Sequence, residues 1–262
     1  MKIYRAGVIG AGFIGQVHVE TIRRLGNAQV VALTDMVNPE KIAEKLNIPH
    51  WFSDYKEMID TMDLDIVHIC TPNNTHFEIA MYALEHGINV ICEKPMTTSV
   101  SDAEKLVRKA EETGLIAAIN FHNRFYPMTN HLMNIIKDGE LGDVFSISGS
   151  YCQDWLLYDT DYSWRLETAE SGDTRVIADI GSHWMDLAEF VTGLQITEVC
   201  ADFSTIHPVR KKPNKTVLAF STEKFKEDDY SKFTVNTEDN ASVMFRFSNG
   251  AKGSAFFSQV IA

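Results

Sequence analysis

Ala6-Gly7-Val8-Ile9-Gly10-Ala11-Gly12-Phe13-Ile14-Gly15 decides the fold of this chain. An apolar run, Ile3 to Ile9, leads into it, and a helical pattern, Phe13 to Leu25, leads out. Between them stands G-x-G-x-x-G at Gly10, Gly12 and Gly15. In a strand-turn-helix that holds a dinucleotide, the first glycine permits the tight turn. The second lets backbone approach the pyrophosphate, and the third lets the helix pack on the strand. The helix N-terminus then offers N–H groups and the positive end of its dipole to phosphate. Taken alone, the spacing also fits a strand-helix turn without a ligand.

The residues beyond the helix narrow the choice. Val30-Val31-Ala32-Leu33-Thr34 is a second apolar run, and it ends in Asp35, twenty residues after Gly15. That is the distance at which an acid meets the adenosine ribose hydroxyls. No Arg or Lys follows until Lys41, so a 2′-phosphate would meet a carboxylate and no counter-charge. The pattern favours NAD over NADP.

The chain has 262 residues, enough for one large domain or two ordinary ones with a real core. Hydrophobic residues make up 45% and charged residues 23%, as in ordinary soluble globular proteins. The net charge of −12 runs against a nucleic-acid surface, which needs a basic field. Cys70, Cys92, Cys152 and Cys200 form no C-x-x-C, so no zinc or thioredoxin-like site is expected, and no metal is called for. Met1 runs straight into the first strand without room for a signal peptide, and no apolar stretch reaches membrane-span length. These features predict a cytoplasmic protein with no membrane partner.

Strands and helices alternate through the first half. Helices are expected over Asn38 to Leu46, with Pro39 in the first turn, and from a cap at Ser53 or Asp54 to Met62. Others run from His76 to His86 before Gly87, and from a capping box at Ser101 and Glu104 to Gly114. Strands are expected at His50 to Phe52, Leu64 to Cys70, Asn89 to Cys92 and Leu115 to Ile119. This order predicts a doubly wound parallel sheet, whose ligands sit at the C-terminal strand ends. Thr71-Pro72-Asn73 and Glu93-Lys94-Pro95 therefore line the crevice of the glycine turn, and Lys94 stands at a strand end within it.

After residue 122 the pattern changes. Asn123-Arg124-Phe125-Tyr126-Pro127 leads into a helix ending near Lys137, and Val144 to Tyr151 alternates as a strand. Cys152 to Arg175 reads as a long irregular stretch carrying Trp155, Tyr158, Trp164 and Arg165. Asp179 opens the next helix, which ends at Gly193. At one hundred degrees per residue, Ile180, Trp184, Leu187, Ala188 and Val191 share one stripe, and Asp179, His183 and Asp186 share another. The spacing leaves two accounts open. Asp179 is an N-cap and His183 solvated, or the two face a nicotinamide as an acid/base pair. Val199 to Ile206 reads as a strand, Pro208 to Lys215 as a solvated basic loop, and Glu223 to Asp229 as a solvated charge run. Ala241 to Phe247 and Ala251 to Val260 read as a hairpin through Ser248-Asn249-Gly250, with the second strand still running at Ala262.

With these motifs in hand, the chain resembles the Gfo/Idh/MocA family of oxidoreductases, named for glucose-fructose oxidoreductase and inositol dehydrogenase. The resemblance rests on Gly10 to Gly15 with Phe13 and Ile14, Thr71-Pro72-Asn73 with His76, Glu93-Lys94-Pro95, Asn123-Arg124-Phe125, and the D-x-x-x-H of Asp179 and His183. It implies an α/β fold: a Rossmann domain over residues 1–122, then an α+β domain over 123–262 with a large open, mainly antiparallel sheet that often joins subunits. It implies NAD(P) and hydride transfer to or from a sugar, polyol or sugar derivative. By the same resemblance His183 takes the hydroxyl proton, Asp179 orients substrate and His183, and Lys94 hydrogen-bonds the reacting oxygen. His76, Glu93, Lys94, Arg124, Trp164 and Arg165 fall near the cofactor. Family members usually continue with further strands and a helix, so the second sheet is expected to be incomplete here or completed by a partner. A second implied function is a dinucleotide-binding sensor without catalysis.

Overall fold

The computed structural model describes residues 2–215 and 226–262. The chain divides into two compact units, Met1–Asn120 and Phe121–Ala262.

In the first unit strands and helices alternate without exception: β1 (Tyr4–Ile9), α1 (Phe13–Arg24), β2 (Ala28–Thr34), α2 (Pro39–Leu46), β3 (His50–Phe52), α3 (Tyr55–Thr61), β4 (Ile66–Ile69), α4 (His76–Glu85), β5 (Asn89–Cys92), α5 (Val100–Thr113) and β6 (Ala117–Ile119). All neighbouring strands are parallel, in the order β3-β2-β1-β4-β5-β6. Helices cover both faces, which is why the central strands read as unbroken apolar runs. Met58, Ile79, Leu84 and Leu106 pack with Val67 and Val90 in one core cluster, and Val19, Ile22 and Leu46 with Val8 and Leu33 in another. The strand order reverses beside β1, so the crevice opens at the ends of β1 and β4.

Helix ends follow local chemistry. The Asp54 carboxylate caps α3 by accepting the Lys56 N–H at 3.0 Å. The cap of α5 is Ser99, not the expected box of Ser101 and Glu104: its hydroxyl accepts the Asp102 N–H at 3.2 Å. A cap residue must stand outside the helix, and Ser99 has extended backbone while Ser101 already lies in the first turn.

The second unit contains α6 (Pro127–Lys137), β7 (Ser146–Cys152), α7 (Thr168–Ser171), α8 (Ser182–Thr192), β8 (Ile196–Ser204), β9 (Val209–Pro213), β10 (Tyr230–Thr234), β11 (Asn240–Phe247) and β12 (Lys252–Ser258). Its main sheet runs β7-β12-β11-β8, with β7 and β12 parallel and the other pairs antiparallel. Along β11 every second residue is buried, so Val243, Phe245 and Phe247 join Phe257, Val176 and Ile180 in the core. Trp184 of α8 stacks on Phe245 with ring centroids 5.5 Å apart. Val199, Phe203 and Met244 are exposed.

Several expectations change here. The stretch from Cys152 to Arg175 contains a 3-10 turn at Trp164–Leu166 as well as α7. Pro208 to Lys215 is not a solvated loop: it holds β9, paired with β10 in a separate two-stranded sheet, and Arg210 is fully buried against Asp239. The helix expected to open at Asp179 begins instead with a π-helical turn, Ile177–Gly181, which continues into α8. The last strand stops at Ser258 and bends at Gln259 and Val260, although the Gln259 N–H still meets the Asp239 carbonyl in the register of β11. Of the charge run from Glu223, residues 223–225 lie outside the described residues, and Glu227–Asp229 forms a 3-10 turn. Among the described residues no helix is long and apolar enough to cross a membrane.

Candidate active site

In the first unit the glycine turn is built as the spacing requires. Gly10 has φ +86°, and a Cβ there would stand 2.8 Å from the Cys70 backbone. A Cβ on Gly15 would fall 2.0 Å from the Gly10 carbonyl oxygen, so only glycine lets α1 approach the turn this closely. Gly12, at the N-cap of α1, faces open space: nothing lies within 4 Å of where its Cβ would be. No side chain caps the helix, and its first turn carries no acid. Space, dipole and a helix first turn without an acid fit a pyrophosphate. Phe13 is exposed beside it, and Ile14 packs into the core.

Asp35 is tied to this turn. Its Oδ2 accepts the Ala11 N–H at 2.8 Å and its Oδ1 accepts the Val37 N–H at 2.8 Å. Met36 and Val37 after it are exposed and apolar.

The loops after β4 and β5 are joined by His76. Its ring nitrogens lie 2.7 Å from the Pro95 carbonyl oxygen and 3.0 Å from that of Thr71, and the side chain is fully buried. His76 was expected at the cofactor surface, and it lies instead beneath the two loops as their brace. Thr71 lies against Gly10, and its hydroxyl accepts from Thr75 at 2.6 Å within the turn Asn73–Thr75 that follows Pro72.

Glu93 likewise turns inward. Its Oε1 accepts from His18 Nε2 at 2.9 Å and from Asn120 Nδ2 at 2.6 Å, which holds the backbone that presents Lys94. His18 Nδ1 lies 2.9 Å from His68 Nδ1. In the neutral His18 ring, donation through Nε2 to the carboxylate leaves Nδ1 as the acceptor for His68. Burial alone would push the Glu93 carboxyl up, but the bonds from His18 and Asn120 outweigh it and hold it below its ordinary value. Burial, with His18 adding, pushes His68 down to about 4. The sequence reading missed His18, His68 and Asn120. Two carry a signal: His18 lies on the buried stripe of α1 with Gly15, Val19 and Ile22, and His68 interrupts an apolar strand. A polar residue in either place must have a partner.

In the second unit the cap of the π-turn is Glu238, whose Oε1 accepts the N–H groups of Arg175 at 2.9 Å and Ile177 at 3.0 Å. Asp179 is therefore not an N-cap. Its Oδ1 accepts from Arg165 Nε at 3.0 Å, and its Oδ2 from Gln259 Nε2 at 2.7 Å. The Arg165 guanidinium lies 4.6 Å from the centre of the Trp164 ring. Asp179 is 8% exposed and His183 only 7%, which removes the solvated account of the histidine. The His183 ring meets Phe121 and His122 edge-on, at 5.8 and 5.2 Å. Arg124 turns its guanidinium to the third member of the stripe: its Nε lies 2.8 Å from Asp186 Oδ2, a second bond comes from Nη2, and the Phe190 ring lies beside it. Lys94 belongs to the first unit, and Asp179, His183, Arg124, Trp164 and Arg165 to the second.

Residues 4–121 match the Gfo/Idh/MocA oxidoreductase family model with an NAD-binding Rossmann fold, and residues 129–262 match that of the family's C-terminal domain. The chain belongs to the Gfo/Idh/MocA family. It is 29% identical to levoglucosan dehydrogenase of Pseudarthrobacter phenanthrenivorans, over 97% of this chain and 67% of that protein. It is 27% identical to myo-inositol 2-dehydrogenase of Thermotoga maritima, over 77% of this chain and 59% of that one. Among solved structures it resembles an oxidoreductase domain protein from Kribbella flavida, with TM-score 0.89 and 27% identity over 99% of this chain and 68% of the other. A levoglucosan dehydrogenase in complex with NADH and levoglucosan aligns with TM-score 0.88 and 25% identity over 99% and 68%. The chain thus spans about two-thirds of the length of some relatives and less of others. Its first unit is the family's NAD-binding Rossmann domain.

Proposed function

We propose that this protein is an NAD-dependent dehydrogenase that moves hydride between the nicotinamide and a hydroxyl or carbonyl carbon of a sugar, polyol or sugar derivative. The observation that carries the reading is the pair Asp179 and His183, held buried on one stripe in a chain whose first unit holds NAD. The dehydrogenases of levoglucosan and myo-inositol among its relatives support the substrate class.

The residues divide the work. Gly12 and the N-terminus of α1 take the pyrophosphate, and Asp35 takes the adenosine ribose hydroxyls. When bound, NAD supplies the hydride chemistry. His183 removes the hydroxyl proton during oxidation and returns it during reduction, a task suited to an imidazole near neutral pH. Asp179 orients His183 and the substrate. Lys94 hydrogen-bonds the reacting oxygen and offsets the charge that develops there. Arg165 positions Asp179, and Glu93 and His76 hold the Lys94 loop.

The test is turnover on a sugar and polyol panel, read by NADH absorbance. Lys94→Ala and His183→Ala should each lower kcat by about a hundredfold or more while leaving NADH binding intact. Undiminished turnover in both variants contradicts the assignment. Stoichiometric NADH binding by the wild type with no turnover on any sugar turns the reading to a dinucleotide sensor.

A homo-oligomer through the second unit's sheet belongs to the same proposal, supported by the exposed Val199, Phe203 and Met244 on β8 and β11. So does a cytoplasmic location, supported by the four cysteines standing as free thiols.

A further inference from the structure

Asp179 is held from behind by a chain of buried polar groups. Gln259 follows β12 and is fully buried, and its Nε2 donates to Asp179 Oδ2 at 2.7 Å. An amide can face a carboxylate with its oxygen or its NH2. Arg175 decides which, because its Nη1 donates to Gln259 Oε1 at 3.2 Å and has no acceptor to offer. With the oxygen engaged there, the NH2 must turn to Asp179. Arg175 is itself fixed: Nε donates to Thr237 Oγ1 at 3.0 Å and Nη2 to the buried Asp239, whose carboxylate also takes Arg210 Nη2 at 2.9 Å. The Gln259 backbone is pinned too. Its N–H donates to the Asp239 carbonyl at 3.2 Å, and its carbonyl accepts the Leu156 N–H at 3.0 Å.

We propose that Gln259 is a positioning residue for the reaction, passing the fixed orientation of Arg175 and Asp239 to the Asp179 carboxylate. The assignment rests on the dehydrogenase reading, in which Asp179 works with His183. A plain packing role does not account for the geometry. An apolar side chain of equal volume would fill the space, whereas here the amide is oriented by one charged group and spends its donor on another. The charged and titratable groups around Asp179 include Arg165 at its Oδ1, Tyr151, whose phenol burial and the Asp179 carboxylate push up, and His183 one turn along the helix, with Arg175 behind the amide.

Two variants test this. Gln259→Glu keeps an acceptor for Arg175 but sets a second carboxylate against Asp179. Gln259→Met keeps the volume and removes both bonds. The first readout is the Asp179 carboxyl carbon resonance followed against pH, which needs no substrate. In both variants Asp179 should titrate at higher pH than in the wild type, most in Gln259→Glu, because the charged form loses a donor or gains a like neighbour. The second readout is kinetic. On the substrate found with the sugar panel, kcat should fall about tenfold or more, its acid limb should move to higher pH, and NADH affinity should stay within about twofold. If neither variant folds, the wild-type Gln259 NH2 resonances decide: they should shift in step with the Asp179 titration. An Asp179 titration unmoved in folded variants, or NH2 resonances indifferent to it, overturns the role of Gln259 while turnover of sugar stands. A wild type that turns over no sugar removes the dehydrogenase reading, and this assignment with it.

Discussion

Both oxygens of Asp35 are committed to backbone N–H groups, one from the glycine turn and one from Val37, so the carboxylate has a fixed place beside the pyrophosphate cradle. A carboxylate so fixed accepts from ribose hydroxyls and repels a 2′-phosphate. Asp35→Ser should therefore narrow the preference for NADH over NADPH by about tenfold or more, measured as the ratio of Kd values. A ratio unchanged by the substitution contradicts the role. This site was legible in the sequence because its parts are local: turn, helix start and acid lie within about thirty residues and follow one spacing rule. Glu93 and His76 were read as residues of the crevice, and their inward bracing of its loops was not legible. What their side chains do depends on His18, Asn120 and two loop carbonyls, which no spacing rule connects to them.

Helix starts separate what a motif suggests from what backbone geometry allows. Ser101 and Glu104 have the spacing of a capping box, yet Ser99 does the capping because it is the residue just outside α5. Ser99→Ala should destabilise the protein by about 1 kcal/mol. Ser101→Ala should be neutral or slightly stabilising, since alanine is the better helix former. Urea denaturation of the two variants distinguishes them, and equal effects contradict the assignment.

The meeting of α1, β4 and the loop after β5 makes a second element-scale prediction, on pH. His68 has a folded pKa of about 4, below its ordinary 6.5, so the unfolded chain binds more protons between those values. Stability is therefore present above pH 6.5 and falls as the pH drops toward 4. Glu93, also held low, acts with the same sign further into acid. The loss from His68 is at most about 3 kcal/mol. His68→Asn keeps a donor for His18 and should flatten this part of the stability curve. A curve equally steep in the variant rules out His68 as its source.

Across the whole chain, the two halves were not equally readable. The first is a parallel sheet whose burial on both faces writes itself into the sequence as apolar runs, and its elements came within a few residues of their observed ends. In the second, decisive partners are far apart. Arg210 and Asp239 are separated by 29 positions, and Asp179 and Gln259 by 80. A lysine- and arginine-rich stretch reads as solvated until the buried carboxylate that fixes Arg210 is known. The stripe of Asp179, His183 and Asp186 was visible from helical periodicity. Its burial was not, because burial depends on Gln259, Arg165 and Arg124 arriving from other parts of the chain.

The central claim is that this chain works through NAD held at the glycine turn. The most direct measurement is a titration of the purified protein with NADH and with NADPH, followed by nicotinamide fluorescence. NADH should bind stoichiometrically and NADPH much more weakly. Binding of neither, or tighter binding of NADPH, would contradict the claim.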